Sequence, residues 1–218
     1  NTWYDLYQRN PIERFAEQYW KENGIDGWEE YKTIPDRLYI GNAFCHLLFP
    51  KEEQLFALME KAIVENVEIT LVFPCMREFQ VEERGKLLKK VDNWCEKRQT
   101  RVEILVNDWG MTALVKESGK HLEPCLGVLL NKQKKDPRMH YKKGSTRGLG
   151  ENNLQAGFYR RFLKDTYGIT RYEWESCGYP QVFPQGKNSL HLPYYQTNTS
   201  QYCPLYASCT EGERGTQR

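Results

Sequence analysis

At 218 residues, with 39% hydrophobic and 28% charged side chains, the chain has the composition of a soluble α/β domain that buries roughly 70% of its unfolded surface without staples. A formal net charge of +2 gives no bulk attraction to nucleic acid or an anionic membrane, and no apolar run approaches the ~20 residues of a membrane span. Seven cysteines, an odd number, and no signal-peptide pattern argue against a secreted disulfide framework and for a reducing, cytosolic setting.

Residues 1–36 read as an N-terminal helical extension. Ile12, Phe15, Tyr19 and Trp20 recur at helical spacing, which predicts a helix over Pro11–Asn23 with Asn10 as cap and Gly24 as stop. Trp3, Tyr4, Tyr7, Tyr19, Trp20 and Trp28 are more aromatic surface than one short helix buries on itself. They point to a docking surface for another chain or to a helix that folds back on its own domain.

From Arg37 onward, short strands alternate with helices. "RLYIG" is a strand, 51–66 a helix, "EITLVFP" a strand and 81–98 a second helix with Leu87, Leu88, Val91, Trp94 and Cys95 inward. "RVEILVND", "CLGVLLN", "ITRYEWE" and "SLHLP" follow as strands three to six, separated by helices over 110–118 and 152–168. Alternating βα units imply a parallel sheet. The expected fold over residues 37–218 is α/β, a partial or decorated TIM-like (β/α) barrel, since six units are two short of a closed ring. An open doubly wound sheet is the alternative. "GSTRGLG" at 144–150 is only a glycine-rich loop, and no phosphate-binding or hydrolase motif occurs.

In parallel α/β folds, chemistry gathers beyond the carboxyl ends of the strands. Cys45, Cys75, Cys177, Cys203 and Cys209 all follow strand ends and could share that face. Cys95 sits on the apolar stripe of a helix and Cys125 opens the expected fourth strand, so both are expected to be packing residues. Three or four converging thiolates would suit an iron–sulfur cluster or a structural zinc.

Asn107 and Asp108 end strand three as pocket residues or as a turn and helix cap. The loop after strand four carries Lys132, Lys134, Lys135 and Arg138. Lys135 and Arg138 are candidates to hold an anionic small molecule, Arg138 by a bidentate contact. Glu173 and Glu175 point to one side of strand five, and Glu173 is a catalytic candidate together with Asn107 and Asp108. His191 in strand six is either a core histidine or a substrate contact.

"YIGNAFC", "VEILVNDWGMTALV", "LGVLLNKQKKDPRM" and "SLHLPYYQTNTSQYC", in that order, resemble the collagenase-like peptidase family of unknown catalytic type. The match is closest to its non-peptidase branch, which includes the paired proteins of oxygen-independent ubiquinone hydroxylation. The resemblance covers roughly Arg37 to Cys209. It implies a TIM-like barrel and a [4Fe-4S] cluster on four cysteines, with Cys45, Cys203 and Cys209 matching ligand positions. Cys177 is then the fourth ligand, with Cys75 or a partner chain in its place as alternatives. The expected function is an iron–sulfur protein of the hydroxylation type, acting on a small or RNA-linked substrate. A non-catalytic subunit of such a complex, or a peptidase-like hydrolase, is the alternative. The pairing of the relatives also implies a homo- or hetero-oligomer with a related subunit.

Overall fold

The computed structural model describes residues 2–24, 34–133, 151–177 and 181–192. Among these, two N-terminal helices, α1 (Thr2–Arg9) and α2 (Ile12–Glu22), precede strand β1 (Arg37–Gly41). There follow α3 (Glu52–Val64), β2 (Glu68–Val72), α4 (Val81–Arg98), β3 (Val102–Val106), α5 (Trp109–Ser118) and β4 (Leu122–Leu126). Helix α6 (Gly157–Tyr167), β5 (Arg171–Glu175) and β6 (Lys187–His191) complete the described α-helices and strands.

All six strands are parallel and lie in the order β1-β2-β3-β4-β5-β6. A doubly wound sheet would reverse direction at a switch point, so the sequential order selects the barrel-like alternative. The sheet is strongly curled. The Tyr39 hydroxyl of β1 donates to Glu173 Oε1 of β5 at 2.8 Å. In a flat sheet, four strand spacings would hold those strands about 19 Å apart. The rings of Tyr39 and His191, on the two edge strands, lie 6.0 Å apart edge to face. The sheet is therefore half a barrel whose inner side chains touch across the concavity.

Alternation along each strand separates two faces. Leu38, Ile40, Ile69, Leu71, Ile104, Val106, Leu126, Tyr172 and Trp174 face the helices and form the main core with Leu55, Leu58 and Met59 of α3 and Leu88 and Val91 of α4. Helix α4 ends where Gln99 turns left-handed at φ 52°, and α6 where Gly168 does so at φ 75°. Lys90 to Glu52, and Trp94 and Arg98 to Glu60, clip α4 to α3 across their solvent edge.

A helix over Pro11–Asn23 was expected and α2 fills it, but α1 before it was not, and Asn10 does not cap α2: its amide donates to Leu6 O and Pro11 holds the cap position. Tyr4 and Tyr7 of α1 and Ile12 of α2 belong to the same buried core as the sheet. The Tyr4 hydroxyl donates to Leu48 O and accepts from Gly41 N, while the Tyr7 hydroxyl donates to Glu65. The chain thus folds its first aromatics back onto the end of β1 and onto α3.

Strand four differs from expectation. It begins at Leu122, not Cys125, and ends before Gly127. Gly127 N donates to Val106 O at 2.8 Å and starts the turn over Val128–Leu130. The apolar run "GVLL" is buried as a turn, because the Asn107 side chain holds that backbone.

Candidate functional site

The carboxyl ends of the strands carry a rim of short turns. After β1, Asn42 Oδ1 accepts from the backbone N–H of Phe44 and of Cys45, folding residues 42–45 into a tight turn. Cys45 is half-buried there, and Cys177, just past β5, is buried. The Cys177 thiol lies 3.3 Å from Gln133 Nε2 and donates to Glu175 O at 3.5 Å. Cys75 follows β2, exposed overall, with its Sγ 3.5 Å from Asn107 O. Cys95 lies in the apolar stripe of α4 as expected, and burial pushes its thiol up to about 12. None of the five described cysteines is in a disulfide. Cys203, Cys209, Lys134, Lys135 and Arg138 lie outside the described residues.

Asn107 and Asp108 both carry hydrogen bonds that hold the rim in place. Asn107 donates to Phe73 O at 2.9 Å and accepts from Leu129 N. Asp108 caps α5 by accepting from Met111 N at 2.7 Å, and its other oxygen accepts from Met76 N at 2.7 Å. Asp108→Ala removes the cap and the β2-loop anchor together. It is expected to lower stability by about 1–2 kcal/mol in urea denaturation, where Asp108→Asn loses less.

Below the rim, the inner face is a packed layer of charge. Arg37 Nη1 donates to Thr70 Oγ1 at 2.9 Å, and Thr70 passes a hydrogen bond to Glu103 Oε1 at 2.8 Å. Arg37 is also ion-paired with Glu68. Arg171 bridges the two carboxylates of the centre: its Nε is 3.2 Å from Glu103 Oε2 and its Nη2 3.8 Å from Glu173 Oε1. The same guanidinium donates to Ser189 and to the Tyr39 hydroxyl. Glu173 is wholly buried, with Tyr39 on one oxygen and His191 Nε2 2.5 Å from the other. That last contact is close but lacks the alignment of a hydrogen bond. It holds the His191 imidazolium above its ordinary pKa, against the opposing pull of burial.

Burial raises the Glu103 carboxyl, while the Thr70 hydrogen bond and the Arg171 and Arg37 guanidiniums pull it down. Burial, with Glu103 and Glu173, raises the Tyr39 phenol and the Cys125 thiol in the same direction: Glu173 acts on the phenol, and both carboxylates act on the thiol.

Cys125 occupies a different place from the one its sequence position suggested. It is near the carboxyl end of β4 and points inward, 3.9 Å from Glu173 Oε1. It does pack, beside Val72 and Leu105. Donor atoms of Glu103, Cys125 and Glu173 lie within 4.8 Å of one another, a spacing compatible with a cation. Their chemistry does not fit one. The Arg171 guanidinium already stands between the carboxylates, where its charge opposes that of a cation.

The structure thus joins Glu173 and His191 and places Cys45 and Cys177 on the rim. It adds Arg37, Tyr39, Thr70, Glu103, Arg171 and Ser189, which sequence reasoning passed over. Their signal was present as polar residues at alternate positions of "RLYIG", "EITLV", "RVEILV", "RYEWE" and "KNSLH", where a barrel interior takes every second side chain. No family model, no curated protein and no solved structure matches this chain.

Proposed function

We propose that this chain is an iron–sulfur protein of the oxygen-independent hydroxylation type, built on six βα units of a TIM-like barrel. The observation that carries the reading is the curl of the sheet. The 2.8 Å contact of Tyr39 with Glu173 brings β1 and β5 face to face, and Cys45 and Cys177 follow those two strands.

Cys45 and Cys177, with Cys203 and Cys209 from the C-terminal segment, would hold a [4Fe-4S] cluster. Such a cluster supplies single-electron transfer, tuned by hydrogen bonds to sulfur. The surroundings of the two described thiols suit that role. The Asn42 turn fixes the Cys45 backbone, and the Gln133 amide sits beside the Cys177 sulfur, where it can offset thiolate charge. A thiol hydrolase centred on Cys125 is disfavoured, because burial and two carboxylates keep that sulfur protonated. Support for a related partner subunit comes from the unpaired outer edges of β1 and β6 among the described strands.

Anaerobic purification followed by iron, zinc and acid-labile sulfide analysis tests the reading. Iron and sulfide in about equal amounts are expected, with Cys45→Ala and Cys177→Ala each losing most of both and Cys95→Ala losing neither. Zinc without sulfide would replace the cluster by a structural site, and a metal-free protein from anaerobic cells would end the proposal.

A further inference from the structure

Glu173 and His191 form a pairing that the iron–sulfur reading does not use. Glu173 is fully buried at the centre of the inner face, and its Oε1 is held by the Tyr39 hydroxyl at 2.8 Å. Its Oε2 faces His191 Nε2 at 2.5 Å. The His191 side chain, by contrast, is 42% exposed. It stands on the edge strand β6, against the Tyr39 ring of the opposite edge strand. One nitrogen of the imidazole therefore lies at ion-pair distance from a buried carboxylate, and the side chain carrying the other reaches accessible space.

A structural ion pair gains little from this arrangement. Half-exposed pairs contribute at most about 1 kcal/mol, while burying a whole carboxylate is costly unless its oxygens are satisfied. Glu173 meets that cost with the Tyr39 hydroxyl and the neighbouring Arg171 guanidinium, and still directs one oxygen at an accessible histidine. A buried, oriented carboxylate behind an accessible imidazole is the arrangement that sets which nitrogen takes and releases a proton.

We infer that His191 is a proton-transfer residue at the mouth of the half-barrel, with Glu173 as its positioning residue and Tyr39 holding Glu173. The substrate class is a small molecule bearing a weakly acidic X–H group and no net charge. The proton leaves X for the outer nitrogen of neutral His191, giving the imidazolium and the X anion, and returns by the reverse step. The inner face accepts the resulting charge. Arg37, Arg171, Lys187 and protonated His191 stand against Glu68, Glu103, Glu173 and Glu175, and Arg101 against Glu123, so the layer is balanced in the protonated form. A charge-balanced layer gives no preference for an ionised ligand. Beside it, Val72 and Leu105, with the partly buried Tyr39 and Ala43, supply an apolar wall.

The titration of His191 is governed by every charge that faces it. Glu173 and Glu175 of β5 raise its proton affinity, Arg171 lowers it, and the Tyr39 ring lies at its side from β1.

Two measurements on the full chain decide the matter, and neither depends on iron content. In a titration followed by NMR of labelled histidine, with His191→Gln to assign the signal among the four histidines, His191 is expected to titrate above the ordinary value of about 6.5. Glu173→Gln is expected to lower that midpoint. Should that variant not fold, the wild-type midpoint alone decides. Diethyl pyrocarbonate, read by mass spectrometry, is expected to modify His191 in the folded protein. A midpoint at or below the ordinary value, no response to Glu173→Gln, or an unmodified His191 each overturns the assignment. A protein that passes both tests but holds no iron keeps this inference and loses the cluster.

Discussion

Gly41→Ala is expected to destabilise the protein by about 3 kcal/mol or more. Gly41 ends β1 at φ +118°, a conformation that side chains avoid at a cost of about 1–3 kcal/mol. An added Cβ would stand 2.1 Å from Val72 O, a backbone atom of the neighbouring strand, and 3.0 Å from the Phe49 ring. The carbonyl cannot yield, because it accepts the N–H of Asn42 at 3.2 Å. Overpacking of this kind adds a further 1–3 kcal/mol. The damage would fall on the Asn42 turn that positions Cys45, the first ligand of the proposed cluster, so under that proposal iron content should fall together with stability. Gly168→Ala is the control. It has φ +75° but open space around its Cβ, so only the left-handed strain of about 1–2 kcal/mol applies. Urea midpoints compare the two. Equal losses would mean that β1 and β2 do not approach as closely in solution.

Glu173→Ala is expected to cost about 3–5 kcal/mol, because it leaves the largely buried Arg171, the Tyr39 hydroxyl and His191 facing an empty site. Glu173→Gln keeps the shape and should cost less. The two differ from a plain core cavity in their pH dependence. The folded pKa of His191 is raised, first by the contact with Glu173. Its contribution to stability is therefore complete below the unfolded value of about 6.5 and is lost as pH rises through the folded value. The gap between wild type and Glu173→Gln should be wider at pH 6 than at pH 9 in parallel urea melts. The exposure of His191 keeps that change small beside the Arg171 term, which persists across the range. A gap that widens towards pH 9 would contradict the pairing.

Helix α4 and strand β1 were legible at their full length, and α3 to within two residues at each end, with Ile63 exposed where it was expected to face inward, because their signals are local. Leu55, Leu58, Met59 and Ala62 repeat at the helical period and are all fully buried, and "RLYIG" is the strand at its full length. The parallel pairing followed from the alternation of βα units, since parallel neighbours need a crossover connection, but the sequential order that excludes a doubly wound sheet came only with the tertiary structure. The contents of the inner face could be read only as a polar alternation. Which polar residues meet depended on curl and register. Tyr39 and Glu173 are 134 positions apart and touch only because the sheet bends through half a ring. Strand four was misplaced for a related reason. "CLGVLLN" is apolar enough for a strand, but the Asn107 side chain, 22 residues from Leu129, captures the run as a turn and leaves Cys125 inside the barrel. Hydrophobic period located helices α3 and α4 and strand β1 of this protein, and failed at α1 and β4. Long-range hydrogen bonds, which have no period, decided which charges share its centre.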